Sequence, residues 1–300
     1  MIETQSLTRR FGRMEAVHEL NLVVPSGSVC ALLGPNGAGK STTIKLLMNL
    51  LQPTGGSASV MGIDSRRLGP GQFAQIGYVS ENQQLPLWMT VAQFLDYCRA
   101  LYASWDRQLE ADLLSEFALP RDRALRQLSR GMLMKAALLS ALAFRPRLLV
   151  LDEPFSGLDA LVREELIRGL IEVSADREWT MLVSSHDIDE VERLCDRVAV
   201  LSNGRLQFNE PADTLQARFR RVEIAGALNE TTASAGWLEW DRAGALIRFI
   251  DSGHQGAETE RALREKFPGA TISTHPMNLR EIFLALARAE RTQAKKGAVA

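Results

Sequence analysis

Gly34-Pro35-Asn36-Gly37-Ala38-Gly39-Lys40-Ser41-Thr42 fits the pattern G-x-x-x-x-G-K-[ST]. Apolar Val29-Cys30-Ala31-Leu32-Leu33 precedes it and reads as a strand, and Thr43-Ile44-Lys45-Leu46-Leu47-Met48 follows and reads as a helix. Strand, glycine loop and helix in that order describe a phosphate-binding loop. Its glycines let successive backbone N–H groups turn inward at an anion. The helix presents its positive end to the same group. Lys40 is placed to reach the β- and γ-phosphates of a nucleotide, and the Ser41 hydroxyl can ligate Mg²⁺. A chance glycine turn before a helix is the competing reading. The Lys-Ser pair and both flanking elements argue against it.

Outward from this loop, residues 2–33 read as short strands with turns at Gly12 and Ser26-Gly27. The helix after the loop is expected from about Lys40 to Leu51, before the turn signal Gln52-Pro53-Thr54-Gly55-Gly56. Ser57 to Met61 and Ile76 to Val79 read as strands, and 81–89, with Pro86, as a loop. Thr90 opens a helix with Val91, Phe94, Leu95, Cys98 and Leu101 at helical spacing. Asp106 caps a second helix, and Ser129 is an N-cap candidate for a third that ends near Arg145-Pro146. Residues 90–145 are thus a helical insertion. Strands return at Leu148 to Leu151, Met181 to Ser184 and Val198 to Leu201, with helices expected from Ala160 to Ser174 and from Ile188 to Cys195. This alternation predicts a parallel sheet covered on both faces.

Leu148-Leu149-Val150-Leu151-Asp152-Glu153 is an apolar strand that ends in two carboxylates. A run without polar alternation suits a strand buried on both faces, and ligands sit at the carboxyl ends of such strands. Asp152 can hold the Mg²⁺ shell. Glu153, one residue further, can orient or deprotonate an attacking water. Solvated strand-end acids are the bland alternative.

Bulk properties narrow the class. With 300 residues, 46% of them hydrophobic, the chain can build one large domain or two smaller ones. A net charge of -1 argues against a general nucleic-acid-binding surface. Cys30, Cys98 and Cys195 are widely spaced; Cys30 and Cys98 read as core residues, and nothing points to an oxidising compartment. The polar start, Met1-Ile2-Glu3-Thr4-Gln5, does not read as a signal peptide. No apolar run approaches the roughly 18 residues needed to span a bilayer, so a membrane role is expected to come through a partner chain.

Taken together, the motifs resemble the ATP-binding-cassette (ABC) ATPases over about residues 1–215. Leu128-Ser129-Arg130-Gly131-Met132 lies upstream of Asp152, where that family carries its L-S-G-G-Q signature. Ser156-Gly157-Leu158-Asp159 resembles its D-loop. Ser184-Ser185-His186 resembles the strand end that carries the switch histidine. Phe11 sits at the aromatic that stacks on adenine, and Glu81 at the Q-loop position. Each motif is short; their order and spacing carry the resemblance. No N-K-x-D follows, which disfavours a GTPase.

The resemblance implies a P-loop α/β ATPase domain at 1–215 with an antiparallel β subdomain and the helical subdomain at about 90–145. A small α+β accessory domain is expected at 216–292, and a disordered tail at 293–300. ATP and Mg²⁺ are the implied cofactors, with Ser41, Glu81 and Asp152 at the metal. Glu153 and His186 are the implied catalytic residues. Ser129 and Gly131 would face nucleotide held by a second copy, in a homodimer or heterodimer, and Asp159 of the D-loop match is a further implied nucleotide-binding residue. His186 could instead be a satisfied core histidine, and Phe11 could simply cover the first sheet.

Two departures stand out. Glu81 replaces a glutamine; in the signature, Arg130 replaces the first glycine and Met132 the glutamine, and Arg130 is expected to meet solvent or a partner, a cation near the trans phosphate being the alternative. A signature of this kind resembles the type-2 ABC exporters of bacteria, similar to multidrug, bacitracin and sodium exporter subunits. That implies export through a separate membrane-spanning permease, with the chain peripheral at the cytoplasmic face of the inner membrane and no nucleic-acid partner. The loop Leu85-Pro86-Leu87-Trp88-Met89 is where such a permease would dock; a buried loop anchor is the alternative. An importer ATPase, a soluble ABC ATPase acting on nucleic acid or ribosomes, and a degenerate nucleotide-binding regulator are the competing readings. Intact Lys40, Asp152, Glu153 and His186 speak against the last.

Overall fold

The computed structural model describes residues 1–175, 179–226, 234 and 236–297. The chain divides into two compact units, Met1–Asn209 and Glu210–Ala300.

The first unit holds two sheets. In one, the strand Ile2–Phe11 pairs antiparallel with Met14–Leu20 and with Gly55–Val60. In the other, six strands stand in the order Arg205–Pro211, Arg197–Ser202, Val29–Leu33, Thr180–Ser185, Leu148–Asp152, Ile76–Ser80. The last five of these run parallel to one another. Every residue of Leu148–Asp152 and of Thr180–Ser185 is buried, as a sheet covered on both faces requires. The pairing register decides where the site forms. Leu33 pairs with Ser185, Asp152 with Ser184, and Ser80 with Asp152. Four strands therefore end along one edge of the sheet. Around it, helices Val91–Arg99, Arg107–Glu116 and Arg130–Leu142 make up the helical insertion.

The second unit is a four-stranded antiparallel sheet, Trp237–Ala243, Leu246–Asp251, Arg220–Ala225, Thr271–Pro276. Val222, Ile224, Ile247 and Phe249 of this sheet bury against Leu263 and Phe267, from and just after the helix Ala257–Lys266. Its alternating burial is that of a sheet with one face on a core.

Several expectations need correction. The helix after the glycine loop spans Lys40–Leu47 and stops short of Leu51, because Asn49 takes a left-handed φ of 56°. Residues 188–195 hold only the short 3₁₀ turn Ile188–Glu190. There Asp187 Oδ1 accepts the Asp189 N–H, so a side chain and not a helix satisfies the backbone. The unit boundary falls at Glu210, not 216. Helix Ala212–Arg218 is tied to the second unit, where Arg218 bonds Glu210 and the Ser252 carbonyl. The expected disordered tail differs as well: the last helix, Leu279–Gly297, runs through 293–297. The remaining 298–300 lie outside the described residues.

Candidate functional site

The glycine loop lies at the carboxyl end of Val29–Leu33, on the edge where the strands end. Gly39, the N-cap of Lys40–Leu47, has a φ of 103° and no side-chain cap, so the first helical N–H groups are left for an anion. A Cβ on Gly39 would stand 2.4 Å from the Ala16 carbonyl oxygen. The glycine thus also allows the Met14–Leu20 strand to close over the loop.

A cavity of about 680 Å³ opens here. Its walls include Asn36 to Thr42, Phe11, Glu81, Glu153, Ser156 and His186. The pattern-derived residues Gly34 and Pro35 stand behind the loop, where their carbonyl oxygens accept from Lys40 Nζ at 2.6 and 3.2 Å. Asp152 lies beneath, with Ser41 Oγ donating to its Oδ1 at 3.0 Å. Phe11 is 40% exposed, with the Arg9 guanidinium 4.5 Å from its ring centroid.

Glu153 is the hub. Its Oε1 lies 3.0 Å from Lys40 Nζ and its Oε2 lies 2.8 Å from His186 Nδ1. The Lys40 contact is an ion pair whose geometry falls short of a hydrogen bond, so Oε1 retains accepting capacity. Glu153 is buried, and its φ is 51°, an uncommon conformation for a residue with a side chain. Ser184 stabilises this turn: its Oγ donates to Asp152 Oδ1 at 2.8 Å and accepts the Glu153 N–H at 2.9 Å. One hydroxyl thus holds the Asp152 carboxylate and the backbone from which the Glu153 side chain extends. Burial pushes the Asp152 carboxyl above its ordinary range, opposed by hydrogen bonds from Ser184 and Ser41.

The hydrogen bond to Glu153 raises the His186 imidazole, with burial opposing it. A raised folded-state value means the protonated ring contributes stability below the ordinary 6.5, and that contribution is lost as pH climbs through the raised value. The melting temperature is therefore expected to fall as pH rises from the ordinary 6.5 through the raised value, and His186→Gln to flatten that slope. An unchanged slope in the variant would refute the Glu153–His186 pairing in solution.

Ser129, Gly131 and Asp159 are not walls of this cavity. Ser129 Oγ accepts the Met132 N–H at 3.2 Å and caps Arg130–Leu142. A Cβ on Gly131 would meet Val162 Cγ1 at 2.7 Å, and Asp159 caps the next helix by accepting from Val162 N at 3.0 Å. Glu81 is a wall, but its Oε1 accepts from Ser156 Oγ at 3.0 Å and lies 3.8 Å from Arg130 Nη2. Sequence reasoning missed Met14, Glu15, Ala16, Asn203 and Gly204, which complete the cavity. The only signal for them was turn chemistry at Asn203-Gly204. It also placed Ser184 in a motif without its bridging role.

A second cleft of about 610 Å³ lies between the loop after Glu81 and the helical insertion. Its lining includes Tyr78, Leu85, Trp88, Phe94, Tyr97 and Phe144. Trp88 is 74% exposed, against the alternative of a buried loop anchor.

A sequence profile described as "ABC transporter" matches residues 17–156. The daunorubicin/doxorubicin resistance ATP-binding protein DrrA of Streptomyces peucetius is 36% identical over 95% of this chain and 92% of its own. The sulfate/thiosulfate import ATP-binding protein CysA of Salmonella typhi is 32% identical over 78% of this chain and 67% of its own. A solved structure of an ATP binding subunit of an ABC transporter superposes with a TM-score of 0.65 at 30% identity, over 72% of this chain and 92% of that one.

Proposed function

The chain belongs to the ATP-binding subunits of ABC transporters and is an ATPase, and from that premise we propose that it powers export through a separate membrane-spanning permease. The observation that carries the catalytic part is the convergence on one cavity of Lys40, the Ser41–Asp152 pair and the Glu153–His186 pair.

In this reading the loop N–H groups and the helix start hold the β- and γ-phosphates, and Lys40 leaves Glu153 to bind them. Freed on one side, Glu153 accepts a proton from the attacking water through the oxygen that keeps accepting capacity. His186, already held by Glu153, orients water and γ-phosphate. Phe11 offers a ring face for the adenine. Ser41 Oγ and Asp152 Oδ1 are hard oxygen donors side by side at the cavity floor, a donor set that fits Mg²⁺. Held by these residues, Mg²⁺ would supply positive charge that offsets that of the phosphates. Because Ser129, Gly131 and Asp159 stand away from this cavity, they are assigned to nucleotide on a second ATPase copy, in a two-fold head-to-tail dimer.

For transport, the support is the open cleft with exposed Trp88 and the similarity to the drug-resistance relative over nearly the whole chain. Similarity to the import relative covers less of the chain. Among the described residues no helix is long and apolar enough to cross a membrane, so the spanning part is assigned to a partner at the cytoplasmic face. A near-neutral net charge of -1 disfavours nucleic acid as partner. Trp88→Ala is expected to keep nucleotide binding and lose co-purification with the permease. An exposed Trp that becomes buried as an anchor at an interface is worth about 2 kcal/mol or more. Equal recovery of the partner with variant and wild type would remove Trp88 from the docking role. Stimulation of ATP turnover by substrate in vesicles, scored for direction of movement, separates export from import.

A further inference from the structure

Two of the positions at which the chain departs from the family motifs carry opposite charges, Glu81 and Arg130. One follows the strand Ile76–Ser80 and the other opens the helix Arg130–Leu142. The fold brings them together, with Arg130 Nη2 3.8 Å from Glu81 Oε1. The same oxygen accepts from Ser156 Oγ at 3.0 Å. The guanidinium lies over Gly157, where a Cβ would stand 2.7 Å from Nη1 and where φ is +67°. A residue without a side chain leaves this path open to Arg130. Glu81 is a wall of the nucleotide cavity, and with Arg130 it also lines a neighbouring groove of about 410 Å³.

We propose that Arg130 is a positioning residue for ATP binding, clasping the Glu81 carboxylate so that its charge beside the triphosphate is offset. The inference rests on this cavity being the ATP site. A carboxylate on the wall of a triphosphate cavity repels its ligand. A cation 3.8 Å away offsets that repulsion, and the Ser156 bond fixes which way the carboxylate faces. Acid and base at these positions are thus one compensated pair: Glu81 without Arg130 would add a negative charge facing the phosphates. The pair is half-exposed, so its effect is modest and is screened by salt.

The test is a double-variant cycle read by the affinity for trinitrophenyl-ATP without divalent metal. Arg130→Ala is expected to weaken binding about two- to fivefold at low salt, and the loss is expected to fade at high salt. In the Glu81→Gln background the same change is expected to cost nothing, and Arg130→Lys to retain most of the affinity. An equal loss in both backgrounds, or no loss in either, would overturn the clasp while leaving the nucleotide site intact. Failure of the wild type to bind the probe would instead overturn the nucleotide site, and the clasp with it.

Discussion

Glu153→Gln is expected to abolish steady-state ATP hydrolysis while leaving ATP binding in place. Removal of a positioned general base costs about 10²–10⁴-fold in rate. The glutamine keeps the shape of the side chain and the backbone bond from Glu153 N to Ser184 Oγ, so the strand-end turn survives. It loses the charge that attracts Lys40 and the imidazole. Lys40 is then released from an ion pair that competes with phosphate, so affinity for ATP is expected to hold or rise. With hydrolysis blocked, ATP-bound variant should accumulate as a dimer, because the groups assigned to the trans phosphate, Ser129 and Gly131, have no part in this chain's own cavity. Single-turnover kinetics and size-exclusion chromatography with ATP measure both effects. Hydrolysis near the wild-type rate would take the base role from Glu153.

Lys40→Ala is expected to fail one step earlier, at binding. The ammonium is 5% exposed and already directed by the Gly34 and Pro35 carbonyls. A charge-assisted hydrogen bond contributes about 1.5–3 kcal/mol, so nucleotide affinity should drop about 10- to 150-fold. The substitution also leaves Glu153 buried with the half-exposed His186 as its remaining cationic partner. Breaking a buried ion pair by removing one member is destabilising, so the melting temperature without nucleotide is expected to fall as well. Glu153→Gln in the same chain should restore part of that loss of stability and none of the affinity. Isothermal titration and thermal melts separate the two. Unchanged affinity in Lys40→Ala would move phosphate binding elsewhere.

Much of the site was legible because its signals are local. Glycines that permit a curled backbone, a helix start beside them and an apolar strand ending in acids each depend on a few neighbouring residues. So did the caps: Ser129 and Asp106 accept the N–H groups their helices leave free. Where local reading failed, another local contact won. Asn49 turned left-handed and ended a helix early, and Asp187 satisfied backbone that helix would have used.

The sequence by itself determined the fold class, the phosphate loop and the identity of the carboxylates at the strand end. Only the tertiary structure decided how they meet. Parallel register sets Asp152 beside Ser184 and so lets one hydroxyl bond both the Asp152 carboxylate and the Glu153 backbone N–H. Packing of the Met14–Leu20 strand over Gly39 closes the cavity. The approach of Arg130 to Glu81 couples two motif departures that look independent in the chain. Backbone preferences are written within a few residues, whereas contacts across dozens of residues depend on register and packing. For that reason the glycine loop could be read at once, and the Glu153 hub that engages its lysine could not.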